Sequence, residues 1–254
     1  MIGQKKLKNK IDTFTINNFP HSVLLLGEYG SEKEEICEYI SEKFNFPKYD
    51  ITELISDEYI DEIYSMPAWE LYVIDGTKIT EKEQNILLKV YEEPNPYMYL
   101  ILTCESKYNI LETIQTRSYE LTMDLYTRDE LFPLCTNDAE LELSLANTPG
   151  TIDELNQVDL VSLKKLCSTI LSKLNIAAYQ NTLTISDKIN FRDEYDKYPM
   201  WAFTRMLSLV MLENKSSLYW YLLDFMKKNE PLLDKKRFFE NLLTEMWLEV
   251  HSGH

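Results

Sequence analysis

The sequence predicts an α/β protein with a parallel-sheet domain at residues 1–124, a small helical domain at 125–176 and an all-helical domain at 177–254. Three observations favour this fold. Short apolar runs alternate with helical patterns up to about residue 124, as expected of buried parallel strands joined by helices. A glycine-containing loop joins the first apolar run to a helical segment. Beyond residue 125 the periodic segments have helical spacing.

The sheet domain begins with a predicted helix over residues 2–16, and residues 23–26 then form a short apolar run. A glycine loop follows, and the next predicted helix ends near Phe44. Residues 71–74 form a second apolar run that ends in Asp75. A carboxylate at this place is expected at the carboxyl end of a buried parallel strand.

The second half of the sheet domain carries clear signals for the start and end of a helix. Thr80 and Glu83 form a capping box, which predicts a helix start, and the Glu-Glu-Pro at 92–94 predicts its end. Residues 97–103 form a further apolar run, which predicts a third buried strand. A short helix is predicted at 109–114, and the loop after it carries Arg117. A further strand is predicted between that loop and Met123.

The rest of the chain predicts helices. Thr127 and Glu130 form a second capping box, and a Pro-Gly turn at 149–150 precedes a helix from about Ile152. Apolar residues share one face of residues 159–175 and of residues 236–250. Residues 200–212 are apolar almost all round, which predicts burial on several sides. The predicted helices of this region lie at 159–175, 200–212, 218–226 and 236–250.

Composition excludes several classes of protein. Hydrophobic residues make up 44% of the 254, which favours a globular fold over disorder. No apolar run approaches the roughly 18 residues of a membrane span, and the first ten residues lack the apolar core of a secretory signal. The four cysteines form no CxxC pair and the three histidines lack ligand spacing, so no metal site is predicted, and a reducing cytosol is expected. The net charge of −16 disfavours tight DNA binding by this chain alone.

The glycine loop has the strand–loop–helix context of a phosphate-binding P-loop, with Gly27, Gly30 and Lys33 at the expected places. However, Glu32 replaces the glycine before the lysine, and Glu34 replaces the Ser or Thr that would bind magnesium. A carboxylate about 4 Å from a phosphate charge costs on the order of 4 kcal/mol at an effective dielectric of 20. Glu32 is also not expected to adopt the backbone angles of a glycine readily. The sequence therefore favours a degenerate loop that only connects strand and helix.

A second feature also disfavours ATP hydrolysis. Asp75 is at the position of a Walker B aspartate, and Gly76, Thr77 and Lys78 follow it. A hydrolysing site would place a glutamate directly after the aspartate to orient the attacking water. Without that carboxylate, no intrinsic ATPase activity is predicted.

A long run of motifs at fixed spacing suggests a family. The chain has an "LLKxxEEP" helix end, followed by "ILETIQTRS" at residues 110–118, where the family pattern is "LLKxLEEP" and "LLPTIxSRC". Among its departures from that pattern are Glu112 for the proline, Thr116 for the serine and Ser118 for the cysteine. On these motifs the chain resembles the AAA+ clamp-loader subunits of DNA replication, most closely the bacterial delta-prime type. That resemblance adds AAA+ to the predicted fold, with a helical lid and a C-terminal collar that joins subunits. A zinc module is usual in the bacterial delta-prime family, but the cysteines for it are absent here.

The resemblance implies roles for two residues. Arg117 corresponds to the arginine that reaches a neighbouring subunit's ATP, and an arginine finger stabilises the transferring phosphate. The alternative is an interface or surface arginine paired with an acid such as Glu120. Thr103 or Cys104 stands at the sensor-1 position, where a buried polar residue without a sensing role is favoured. A sensor-2 arginine is not evident after Gly150.

The resemblance also implies partners and a role. The chain would bind no cofactor itself, and ATP and Mg²⁺ would lie in neighbouring subunits. Its partners would be ATPase subunits, a clamp-opening subunit and the sliding clamp, with primer-template DNA contacted only through the complex and no membrane involved. Such a subunit would be cytoplasmic. Two alternatives stay open: a weak AAA+ ATPase or motor that uses Lys33, and a AAA+-derived adaptor outside a clamp loader.

Overall fold

The computed structural model describes residues 2–176, 197–229 and 235–252. The chain forms two compact units, of which the first comprises Met1–Cys135 with Asn147–Ile152. The second comprises Thr136–Ala146 with Asp153–His254. The predicted domain boundaries at 124 and 176 stay predictions, and the start of the predicted collar at 177–196 lies outside the described residues.

The first unit contains a five-stranded parallel sheet, which confirms the predicted α/β fold. Its strands are ordered β2-β3-β4-β1-β5, so β2 and β5 are the edges. Residues 48–50, which form the short edge strand β2, were not predicted as a strand. The strands are β1 (Ser22–Leu26), β2 (Lys48–Asp50), β3 (Glu70–Asp75), β4 (Met98–Cys104) and β5 (Tyr119–Thr122).

Six helices of the first unit flank the strands: α1 (Lys5–Asp12), α2 (Lys33–Phe44), α3 (Asp57–Tyr64), α4 (Glu81–Glu92), α5 (Glu112–Gln115) and α6 (Arg128–Leu131). The capping box of Thr80 and Glu83 starts α4 as predicted. The first helix is shorter than the predicted 2–16, because Gly3 and Gln4 both have left-handed backbone angles that interrupt a helix. The predicted helix at 109–114 is instead a 3₁₀ turn at Lys107–Asn109 followed by α5.

Both faces of the sheet are covered, which explains why its central strands read as continuous apolar runs. Successive residues point to opposite faces, so Leu24 packs in one core with Ile74 and Leu102. Leu25 packs in the other core, with Ile36 and Ile101. This burial on both sides fixes the strand ends, and with them the loops at each edge of the sheet.

The second unit is helical. Its helices are α7 (Ala139–Leu145), α8 (Pro149–Asn156, whose first residues belong to the first unit), α9 (Leu160–Ile176), α10 (Met200–Glu213), α11 (Leu218–Asn229) and α12 (Lys235–Ser252), numbered among the described residues. The predicted apolar faces are buried: Leu163, Cys167 and Ile170 of α9 are fully enclosed. Phe203 of α10 packs edge-on against Phe239 of α12, with ring centroids 4.5 Å apart. No helix in the described residues is long and apolar enough to cross a membrane.

Candidate functional site

The glycine loop lies at the carboxyl edge of the sheet, between β1 and α2. Gly27 follows β1, and its N–H donates to the carbonyl of Cys104 at the end of β4, 3.0 Å away. A Cβ at Gly27 would lie 2.5 Å from Ser31 Oγ, so no larger residue fits without a shift. Gly30 has a φ of +71°, which favours glycine. Both glycines are therefore required by the compact path of this loop.

Glu32 corrects one expectation from the sequence. It adopts a left-handed conformation, with φ 58° and ψ 42°, directly before α2. The prediction that a glutamate would not readily take glycine-like angles here is wrong. The cost for an L residue is about 1–2 kcal/mol. Burial of Ile36, Cys37 and Ile40 on α2 more than offsets it, since each fully buried aliphatic side chain contributes about 1.5–3 kcal/mol.

Glu34 does not point into the loop as the electrostatic argument assumed. Its carboxylate forms an ion pair with Lys48 of β2, and Lys48 also contacts Glu38 at 2.7 Å. Burial lowers the pKa of Lys48, but these two carboxylates outweigh it and hold the pKa above its ordinary value. Repulsion of a triphosphate by Glu34 is therefore weaker than predicted, because Lys48 balances its charge.

Lys33 binds the loop itself. Its ammonium donates to the carbonyls of Gly27 and Glu28, at 2.9 and 3.0 Å. Burial lowers the pKa of Lys33, and the negative charges of Glu105 and Asp75 offset part of that effect. In a working P-loop the corresponding ammonium reaches the β- and γ-phosphates. Here the same group closes the loop by binding its carbonyl oxygens.

A second segment, residues 147–152, consists of two loop residues and the first turn of α8 and is called the 147–152 turn here. It packs against the loop within the same compact unit. Thr148 Oγ1 donates to the carbonyl of Tyr29 at 2.9 Å, and the N–H of Gly150 donates to the carbonyl of Gly30 at 2.9 Å. Asn147 Nδ2 donates to the carboxylate of Glu28. The cavity left beside these residues has a volume of about 20 Å³, roughly that needed to hold one water molecule.

Asp75 and Thr103 lie at the ends of neighbouring strands near the loop. The carboxylate of Asp75 accepts hydrogen bonds from the N–H and the hydroxyl of Thr77, at 3.0 and 2.6 Å. Thr103 is buried, and its hydroxyl donates to the carbonyl of Ile74 at 3.3 Å. Both side chains are thus engaged by their own surroundings in the sheet.

Arg117 lies at the opposite, amino-terminal edge of the sheet, directly before β5. Its guanidinium donates to the carbonyl of Thr113 at 3.0 Å and to the carboxylate of Glu92 at 3.2 Å. The acid that pairs with it is Glu92, at the end of α4, and not Glu120, which contacts Lys107 at 3.5 Å. The Arg117 side chain is 38% exposed, so a partner molecule can reach it.

The fold brings some of the predicted residues together and separates others. Gly27, Gly30 and Lys33 share the carboxyl edge with Asp75 and Thr103. Arg117 is on the other edge and cannot act on the same point. The sequence singled out the Pro-Gly turn but did not predict that Thr148 and Gly150 bind the loop. The small residues around that turn were the only signal, because close backbone approach requires them.

Comparisons with known proteins agree with this fold. Residues 46–126 match the model of a family described as DNA polymerase III, delta subunit. A DNA polymerase III gamma subunit-related protein from Thermotoga maritima is 16% identical, with a TM-score of 0.54, over 97% of this chain and all of that chain. A RuvB variant from the same organism is 18% identical, with a TM-score of 0.52, over 98% of this chain and 87% of RuvB. No curated protein sequence matches at a significant level.

The structural likenesses are below 25% identity and show the fold alone, which this chain shares with the two Thermotoga proteins. The family match adds the sequence pattern of β2 to β5, including the helix that ends at Glu92 and the loop that carries Arg117. Residues 46–126 are thus similar to the DNA polymerase III delta subunit family, and the chain shares its fold with the gamma subunit-related protein.

Proposed function

We propose that this chain is a non-hydrolysing subunit of a clamp loader that donates Arg117 to the nucleotide site of a neighbouring subunit. The observation that carries this proposal is the environment of Arg117. The side chain is exposed, it lies at the edge of the sheet away from the chain's own glycine loop, and its ion pair is with one exposed carboxylate. An exposed pair such as Arg117–Glu92 is worth about 0–1 kcal/mol. A phosphate on a neighbour can therefore displace Glu92 at little cost.

The glycine loop supports the non-hydrolysing part of the proposal. Lys33 donates to the loop's own carbonyls, and Asp75 is bonded to Thr77. The residue after Asp75 is Gly76, so no carboxylate follows to orient water. ATP and Mg²⁺ would accordingly be bound by neighbouring subunits and not by this chain.

The proposed partners follow from the same role. They are the ATPase subunits and the clamp-opening subunit of the loader, and the sliding clamp that the loader opens in the cytoplasm. Primer-template DNA would be contacted through the assembled complex, because this chain carries a net charge of −16. Donation of an arginine in trans does not require a nucleotide in the chain's own glycine loop.

The test is reconstitution with candidate ATPase subunits, followed by native mass measurement, ATP turnover and clamp loading. We expect Arg117→Ala to leave assembly intact and to lower turnover at the adjacent site by at least about 100-fold, since arginine fingers contribute roughly 10³–10⁵ in rate. Arg117→Lys should restore little, because a lysine lacks the planar fork.

Glu92→Gln is the matched control. It removes the ion pair but leaves the guanidinium in place, so turnover should stay near that of the unaltered complex. Normal turnover with Arg117→Ala in an intact assembly would refute the arginine finger. Failure of the chain to join any clamp-loader assembly would instead favour an adaptor outside the clamp loader.

A further inference from the structure

The 147–152 turn lies directly against the backbone of the glycine loop at Tyr29 and Gly30. A Cβ at Gly150 would lie 2.9 Å from the Cα of Gly30, and a Cβ at Gly30 would lie 2.7 Å from Thr148 Oγ1. The two backbones are therefore in direct contact through glycines. A P-loop needs open space over this backbone so that its N–H groups can approach the phosphates.

The turn is rigidly held in that place by its own hydrogen bonds. The hydroxyls of Thr148 and Thr151 lie 2.8 Å apart, and Thr151 Oγ1 also approaches the carbonyl of Thr148 at 2.8 Å. Both threonines are buried. Their polar atoms are satisfied inside the unit, so opening the turn would expose or leave unpaired several buried groups, at about 1–3 kcal/mol each.

The loop is also held on a second side. Tyr126 donates its hydroxyl to the carbonyl of Ser31 at 2.7 Å, and Ser31 Oγ contacts Met123 Sδ at 3.3 Å. Lys33 donates to two more carbonyls, so each carbonyl oxygen of residues 27–31 accepts a hydrogen bond. The path of the loop is thus fixed by hydrogen bonds from three different parts of the unit.

We infer that the 147–152 turn is an internal plug that excludes nucleotide, and that Thr148 and Gly150 are the residues that determine this exclusion. The inference rests on the proposal that this chain binds no nucleotide, and it adds the cause. The replacement of glycine and Ser/Thr by Glu32 and Glu34 is therefore not the whole cause of the exclusion. Restoring the P-loop sequence alone will leave the site shut.

The experiment compares the unaltered full chain with three variants by calorimetric titration with Mg-ATP. The loop variant carries Glu32→Gly and Glu34→Thr. The plug variant carries Thr148→Ala and Gly150→Ala, which removes the bond to Tyr29 and places a methyl group against the backbone of Gly30. The third variant combines all four substitutions. We expect the combined variant to bind Mg-ATP at least about tenfold more tightly than either the loop variant or the plug variant.

The outcomes separate this inference from the proposed function. Binding of Mg-ATP by the unaltered chain would overturn the non-hydrolysing proposal itself. Binding by the loop variant as tight as that of the combined variant would overturn the plug alone, and so would no binding by a folded combined variant.

If Gly150→Ala prevents folding, Thr148→Val serves as a milder variant with nearly the same shape. Hydrogen exchange at the Gly150 amide should then be at least about tenfold faster, and an unchanged rate would overturn the inference.

Discussion

At the scale of single residues, Asp75 has a side chain typical of a magnesium site, but it stabilises the turn that follows β3. It ends β3, where a Walker B aspartate is expected, but its carboxylate accepts two hydrogen bonds from Thr77 and contacts Lys78 at 3.5 Å. Burial raises the pKa of Asp75, but the hydrogen bonds from Thr77 and the charge of Lys78 outweigh it. The pKa is therefore held below its ordinary value of 3.8.

This shift predicts a pH-dependent effect of Asp75→Asn. A carboxyl group whose pKa is lowered by folding stabilises the protein above its unfolded pKa, and this stabilisation is lost as the pH falls through the folded pKa. We expect the variant to lose about 1 kcal/mol of unfolding free energy at pH 7. The difference should shrink below about pH 4. Urea unfolding at both pH values measures it, and an equal loss at both would contradict the role of the charge.

At the scale of secondary structure, α4 runs from the carboxyl edge of the sheet, where Asp75 lies, to the amino-terminal edge, where Arg117 lies. Its capping box fixes the first turn near Asp75, and its last residue, Glu92, holds Arg117. Gln84, buried on the same helix, donates to the carbonyl of Asn109 and accepts from the N–H of Leu111, at 2.9 and 2.8 Å. The segment before Arg117 is thus placed by α4 and not by its own short helix.

The cap of α4 can be tested by Thr80→Ala. The variant leaves the N–H of Glu83 without its side-chain acceptor, so we expect a loss of about 1 kcal/mol, within the range of roughly 0.5–2 for helix caps. Thr80→Ser keeps the hydroxyl and is the matched control, which should lose a few tenths at most. Chemical denaturation measures both. Equal stability of the alanine and serine variants would show that the cap contributes nothing.

At the scale of the whole molecule, charge limits what the chain can bind alone. Lys5, Lys6 and Lys10 of α1 are exposed, but the chain as a whole carries a net charge of −16. Lys10 lies over the ring of Tyr119 at 4.9 Å and donates to the carbonyl of Glu120 at 3.4 Å. This helix is a small basic area on an acidic molecule.

We therefore expect the isolated chain to bind duplex DNA more weakly than about 10⁻⁵ M at physiological salt, in the weaker part of the range of roughly 10⁻⁴–10⁻⁶ M typical of non-specific binding. Fluorescence anisotropy with a labelled primer-template measures this. The reconstituted assembly serves as the positive control. Submicromolar binding by the chain alone would mean that its own surface contacts DNA directly.

The sequence determined the parts that depend on local pattern. The apolar runs predicted three buried strands because residues between two helical layers must be apolar on both faces. The capping residues predicted where α4 begins, since a cap acts within one turn. The motif around Arg117 was readable because its spacing is fixed along the chain. The last strand of the sheet domain, β5, was predicted from its place after the short helix, but the edge strand β2 was missed, since a partly exposed strand of three residues carries little apolar signal.

Only the tertiary structure decided what each candidate residue contacts. The sequence could not pair Glu34 with Lys48 or Arg117 with Glu92, because these partners are 14 and 25 residues apart and meet only after the sheet forms. Nor could it place Thr148 and Gly150 against a loop about 120 residues earlier. Such contacts depend on how distant segments pack, and a side chain's role at this site is set by those neighbours more than by its type.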